Sequence, residues 1–121
     1  MADKSQSFRD VLVWQKAHAY ALAVYRITES FPKHELFGLT SQLRRAASSI
    51  PSNFVEGFRK RTTPDKIRYD NIAQGSADES AYQLILSHDL GYANTTSLQT
   101  DLDEIARLLH GYIRGLARTQ R

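Results

Sequence analysis

A helical pattern with a proline near its centre spans residues 43–59, LRRAASSIPSNFVEGFR. Pro51 conflicts with this pattern, because an interior proline removes one backbone hydrogen bond and costs about 3 kcal/mol. We predict one helix over about residues 36–60, kinked at Pro51; two short helices broken at Ser49 are the alternative. Apolar or small residues recur at steps of three and four, the spacing of one helix face: Leu39, Leu43, Ala46, Ile50, Phe54 and Gly57.

A polar stripe runs beside this apolar face. We expect the bend at Pro51 to turn the stripe toward another helix or another subunit. The stripe comprises Gln42, Arg45, Ser49, Asn53, Glu56 and Lys60. The predicted structural motif comprises Ser49, Pro51, Asn53, Glu56 and Gly57.

Three further helices are predicted around this one, over about residues 9–31, 64–90 and 97–118. The third helix has Thr63 as its N-cap and Gly91 after its end. Thr96 and Gln99 have the spacing of a capping box that begins the fourth helix. Four amphipathic helices with short connections predict a single all-α domain, an antiparallel up-down-up-down four-helix bundle.

Composition narrows the classes of protein that this chain can represent. Its 121 residues contain no cysteine, which excludes disulfides, thiolate metal sites and a cysteine nucleophile. Residues 1–7 have no apolar stretch, and no run approaches the ~18 apolar residues that cross a bilayer. We therefore predict a cytoplasmic protein without a membrane partner.

The charges are segregated along the chain although the net charge is only +3. Residues 40–61 hold five bases and one acid, whereas residues 62–104 hold eight acids and two bases. A basic face can contact RNA or DNA phosphates, with Tyr69 or Phe58 stacking on bases. The same arginines can instead form intersubunit ion pairs in a structural or adaptor oligomer that binds a protein partner, and both readings stay open. The candidate nucleic-acid-binding residues are Arg44, Arg45, Arg59, Lys60 and Arg61.

No catalytic or metal-binding pattern is present in the sequence. The chain lacks a nucleophile elbow, a phosphate loop and a dinucleotide-binding fingerprint. None of its four histidines has the Glu-x-x-His spacing of a di-iron bundle. We therefore predict a protein that is not an enzyme and that has no catalytic residues, no metal and no cofactor.

Three runs in the second helix resemble the signature of a known family: Gln42–Ala47, Ser49–Asn53 and Glu56–Gly57. The likeness extends to Val13–Ala17 in the first helix and Ala73–Ser76 in the third. The family consists of bacterial four-helix bundles named for proteins encoded in intervening sequences of 23S rRNA genes. The resemblance implies an antiparallel bundle that assembles as a ring-like homopentamer. It also implies a role near RNA, since similar bundles accompany rRNA insertions or assist retroelement reverse transcriptases by binding nucleic acid.

Overall fold

The computed structural model describes residues 7–119 and contains four α-helices. They are α1 (Leu12–Ile27), α2 (Leu39–Phe58), α3 (Thr63–Asp89) and α4 (Thr96–Thr119). Short 3₁₀ turns occur at Phe8–Asp10, Thr28–Ser30 and Lys33–Glu35. No strand occurs in the described part of the chain. The predicted all-α class is confirmed, and the arrangement agrees with a four-helix bundle.

Each helix packs against two others around one core. α1 contacts α2 and α4, and α3 also contacts α2 and α4, with the most extensive packing between α2 and α3. Within residues 7–119, no helix combines the length and the apolar character that crossing a membrane requires. The largest buried apolar side chains come from all four helices and include Tyr20, Val24, Leu43, Ile50, Phe54, Leu84, Ile105 and Leu109.

α2 is one continuous helix that contains Pro51. The alternative of two short helices broken at Ser49 is therefore wrong. Pro51 is buried, as are Ala47 and Ile50 beside it. Burial of this segment against the core offsets the backbone hydrogen bond that proline cannot donate. The kink at Pro51 and the up-down order of the whole bundle stay predictions.

The first two helices are shorter than the sequence pattern predicts. Val11 is extended, with φ −89° and ψ 125°, so the turn at Phe8–Asp10 is separate from α1. At the other end, the Thr28 hydroxyl donates to the Val24 carbonyl at 2.8 Å, and the chain tightens into a 3₁₀ turn. α2 begins at Leu39 because residues 33–35 form a turn of their own.

The ends of α3 follow from local hydrogen bonds. Its N-cap is Thr62, whose Oγ1 accepts from the Asp65 N–H at 3.3 Å, so the prediction of Thr63 is wrong by one residue. The backbone at Thr62 is extended, as an N-cap requires. The prediction of Gly91 after the helix end is confirmed. Gly91 has φ 78° and its N–H donates to the His88 carbonyl at 3.0 Å, the geometry in which glycine ends a helix.

The start of α4 is also displaced by one residue from the predicted capping box. Gln99 Nε2 donates to Thr95 Oγ1 at 2.9 Å rather than pairing with Thr96. The Thr95 hydroxyl in turn donates to the Leu84 carbonyl at 2.8 Å. The predicted box fails because the buried Thr95, not the exposed Thr96, can reach both helices.

Candidate nucleic-acid interface

The polar stripe of α2 faces α3. Arg45 forms a salt bridge with Glu79 at 2.9 Å, and one turn later Ser49 Oγ accepts from Ser76 Oγ at 2.8 Å. Asn53 Nδ2 donates to Ser49 Oγ at 2.8 Å and to the Ser49 carbonyl at 2.9 Å. From Arg45 to Ser49 the chain advances along α2, while the partner on α3 moves back from residue 79 to residue 76. These two helices therefore run in opposite directions along this contact. The stripe therefore meets another helix of the same chain at Arg45 and Ser49.

Gly57 lets α2 approach α3 closely at the last turn of α2. A Cβ at this position would lie 3.0 Å from the Lys66 carbonyl oxygen and 3.0 Å from Tyr69 Cβ. It would also lie 3.4 Å from Asp70 Oδ1. The neighbouring Glu56 is exposed. Glycine is therefore required by packing here, and the chain turns directly afterwards.

Asp70 is a buried carboxyl beside this contact. It is 2% exposed, and its Oδ1 has no hydrogen-bond partner among residues 7–119. Burial raises the pKa of Asp70 to about 7, against a smaller opposing effect of the Lys66 charge. Below pH 7 the Asp70 carboxyl is mostly neutral, so it compensates little of the positive charge of Lys66.

Five cations surround the connection between α2 and α3, and we name this set the basic turn. Within residues 7–119, none of the five forms a salt bridge. Lys66 Nζ donates to the Phe58 carbonyl at 2.8 Å, where a cation also stabilises the C-terminal end of α2. The other four are exposed or half-buried, so their charged groups can contact phosphates. The basic turn comprises Arg59, Lys60, Arg61, Lys66 and Arg68.

Cations of the basic turn lie against its aromatic rings. Lys60 Nζ lies 4.9 Å from the centroid of the Tyr69 ring, and the Arg68 guanidinium lies 5.1 Å from it. Lys66 Nζ lies 5.6 Å from the centroid of the Phe58 ring. These cation–π contacts hold the cations in place. The basic turn therefore offers charge, while its rings are less available for stacking than the sequence suggests.

Arg44 lies far from the basic turn and holds the end of α1. Its Nε donates to Thr28 Oγ1 at 2.7 Å, and its Nη2 donates to the Tyr25 carbonyl at 3.2 Å. The guanidinium also lies 4.9 Å from the Tyr25 ring centroid. About 22 Å of helix separates Arg44 from Arg59. Of the five candidate cations, the structure brings the last three together and places Arg44 and Arg45 elsewhere.

Sequence reasoning missed Lys66 and Arg68, which it grouped with the acidic segment 62–104. A signal for them was available, because both lie in the first two turns of the helix that follows Arg61. Six of the eight acids of that segment lie farther along the chain, from Asp78 onward. Both residues are identified when charges are counted turn by turn along the predicted helix, instead of being summed over the whole segment 62–104.

The histidines are dispersed over the fold. The His18 ring stacks on Trp14, with centroids 5.0 Å apart and ring planes 11° apart. His88 Nδ1 accepts from the Thr95 N–H at 3.2 Å. Within residues 7–119, no three His, Cys, Asp or Glu side chains are grouped closely enough to hold a metal ion.

Comparisons with known proteins agree with this architecture. The family model of the 23S rRNA-intervening sequence protein matches residues 9–111. A crystal structure of a protein of unknown function from Bacteroides thetaiotaomicron, described as belonging to the S23 ribosomal protein family, is 27% identical with a TM-score of 0.76. The match covers 85% of this chain and 99% of that one. No curated protein matches. Since the family model spans most of the chain, this protein belongs to the 23S rRNA-intervening sequence protein family.

Proposed function

We propose that this protein is a non-enzymatic homo-oligomer that binds the backbone of RNA or DNA through the basic turn, as an accessory factor. The observation that carries the proposal is the gathering of five cations at one connection, none in a salt bridge within residues 7–119. Lysine and arginine side chains that neutralise phosphates release bound counterions, which drives association. Phosphate contacts of this kind position a nucleic acid without reading its sequence.

Family membership supports the proposal and favours RNA as the nucleic acid. The family is named for intervening sequences of 23S rRNA, and the Bacteroides thetaiotaomicron relative is named for a ribosomal protein family. The segregation of charge supports it as well. Most of the acidic side chains of α3 and α4 lie along the helices, away from the basic turn.

Reversing two charges of the basic turn tests the proposal. The double variant Arg59→Glu, Arg61→Glu is expected to bind a single-stranded RNA at least about tenfold more weakly than the native protein, because attraction to phosphates becomes repulsion. Fluorescence anisotropy of a labelled RNA at about 50 mM salt measures the affinity. The matched control is Arg107→Glu, an exposed arginine of α4. Equal affinities of the double variant and the control, or no binding by the native protein, would contradict the proposal.

Exposed apolar side chains support the homo-oligomer. Phe37 is 93% exposed and Tyr82 is 62% exposed. Leu36 and Leu90 are each half exposed. Leu36 and Phe37 are adjacent in the chain, and adjoining exposed apolar side chains favour burial against another copy. The family resemblance favours a pentamer.

The same side chains favour a second candidate function, a structural oligomer that binds a protein partner. The sequence alone allows the arginines to form intersubunit ion pairs in such an oligomer. Arg45, however, pairs with Glu79 of its own chain, and Arg44 bonds to the end of α1. Intersubunit pairing by these two arginines is therefore not favoured.

Replacing Phe37 with serine tests self-association through exposed apolar side chains. We expect Phe37→Ser to lower the assembled mass measured by light scattering, because Phe37 is the most exposed large apolar side chain among residues 7–119. Arg45→Glu is expected to leave the mass unchanged, since its partner lies in the same chain. Dissociation by Arg45→Glu but not by Phe37→Ser would instead support the intersubunit ion pairs of the second candidate.

A further inference from the structure

An aromatic groove lies between α1, α2 and the first 3₁₀ turn. Its volume is about 400 Å³, within the range of known ligand sites. Ser48, Pro51, Ser52 and Val55 line it from α2. Among residues 7–119, none of those that line it is acidic. The side chains that give the groove its character are Phe8, Arg9, Trp14, His18, Leu22 and Tyr25.

The rings of the aromatic groove are stacked on one another and partly open to solvent. Trp14 stacks against His18, and Phe8 meets Trp14 edge to face with centroids 5.0 Å apart. The Arg9 guanidinium lies 5.7 Å from the Trp14 ring centroid. His18 is exposed and Tyr25 is 46% exposed. Arg9 lies beside Trp14 and Arg44 lies beside Tyr25. The exposed His18 ring at the end of the Trp14–His18 stack is therefore the surface on which a base can stack.

The aromatic groove continues toward the basic turn along one face of α2. Ser48, Ser52 and Val55 follow one another at steps of four and three, and Arg59 comes four residues after Val55. Residues at these spacings lie above one another on a helix. Arg59 therefore lies one turn beyond the groove, on the same face of α2. A polyanion bound at the basic turn would pass the end of the groove.

We propose that the aromatic groove holds unpaired bases of a single-stranded nucleic acid whose phosphates contact Arg9, Arg59 and the rest of the basic turn. This inference rests on the proposed function and names the class of nucleic acid that the protein takes. Charge complementarity selects the occupant, since the groove has a cation at its rim, cations beyond its end and no acid among the described residues that line it. Bases of a duplex are paired and stacked inside the helix, so only unpaired bases reach such rings. Stacking on aromatic side chains accepts any base.

Trp14 reports directly on occupation of the groove, because it is the only tryptophan of the chain. A single-stranded RNA of roughly 16 nucleotides is expected to quench its fluorescence as bases stack against the rings. An abasic strand of the same length has the phosphates but no bases. It is expected to bind about fivefold or more weakly and to leave the fluorescence unchanged.

A matched pair of variants locates the contact. Leu22 is 42% exposed in the aromatic groove, and Ile85 is 45% exposed on α3. Leu22→Glu places a carboxylate in the groove and is expected to weaken RNA binding about fivefold or more, whereas Ile85→Glu is expected to have little effect. His18 is exposed, and His18→Ala is also expected to weaken RNA binding.

The outcomes separate this inference from the proposed function. If RNA and the abasic strand bind equally and neither quenches Trp14, the groove is not occupied and the inference fails, while binding at the basic turn stands. Equal affinities of Leu22→Glu and Ile85→Glu would also overturn it. If neither strand binds, both the inference and the proposed function fail.

Discussion

Replacing Asp70 with asparagine is expected to raise the free energy of unfolding at pH 8 by up to about 4 kcal/mol. Asp70 is 2% exposed, and in the described part of the chain its Oδ1 has no hydrogen-bond partner. Above pH 7 the folded protein must hold this carboxyl as a buried charge, with Lys66 as the compensating charge. Asparagine has almost the same shape and carries no charge, so the variant avoids this cost.

The direction of the pH dependence follows from the two pKa values of Asp70. Burial raises the pKa from 3.8 to about 7 in the folded protein. Between these values the folded state holds a proton that the unfolded state has lost. The contribution of this group to stability is therefore fully present below about pH 4 and is lost as the pH rises through 7.

Denaturant unfolding of Asp70→Asn and the native protein at pH 4 and pH 8 measures the effect. The difference in unfolding free energy between the two is expected to be small at pH 4 and large at pH 8. Asp78→Asn is the control, because Asp78 is exposed on the same helix. A difference that does not change with pH would show that Asp70 has no raised pKa.

Replacing Gly57 with valine is expected to lower the free energy of unfolding by about 1–3 kcal/mol. A Cβ at this position lies only 3.0 Å from the Lys66 carbonyl oxygen and from Tyr69 Cβ. The first atom belongs to the α3 backbone and the second is bonded directly to it, so α3 must move as a whole. The movement also displaces Lys66 and Arg68 from the rest of the basic turn.

Gly75→Ala is the matched control for Gly57→Val. Gly75 lies inside α3, and a Cβ there meets no atom within 4 Å. Alanine is expected to stabilise this position by up to about 1 kcal/mol, since it favours the helix. Thermal unfolding of both variants distinguishes them. If Gly57→Val is as stable as the native protein, the close contact between α2 and α3 is not a constraint.

The four helices were predictable because their signals are local. Apolar spacing identified the face of α2 that carries Leu43, Ile50 and Phe54, all buried in the structure. Gly91 identified the end of α3, since a helix end with positive φ favours glycine. The predicted start signals of α3 and α4 were each wrong by one residue, because two threonines are adjacent at each start. Thr62 caps α3 through a local hydrogen bond, and the buried Thr95 bonds to Gln99 of α4.

The candidate site was predictable only in part, because its arrangement depends on contacts between helices. Charge along the chain identified Arg59 and Arg61 but could not separate them from Arg44, which bonds to Thr28 of another element. The aromatic groove was not predicted. Its rings come from α1 and the preceding turn, whereas Pro51 comes from α2, so the groove exists only once the two helices pack.

The salt dependence of RNA binding tests the central claim, that the basic turn contacts phosphates, most directly. For a single strand, the logarithm of the affinity falls with the logarithm of the salt concentration by about 0.7 per contacted phosphate. If each of the four cations other than Lys66 contacts one phosphate, the native protein is expected to show a slope of roughly −2.8. The variant Arg59→Glu, Arg61→Glu is expected to show a slope shallower by at least about 1.4. A slope near zero, or the same slope in both proteins, would contradict the claim.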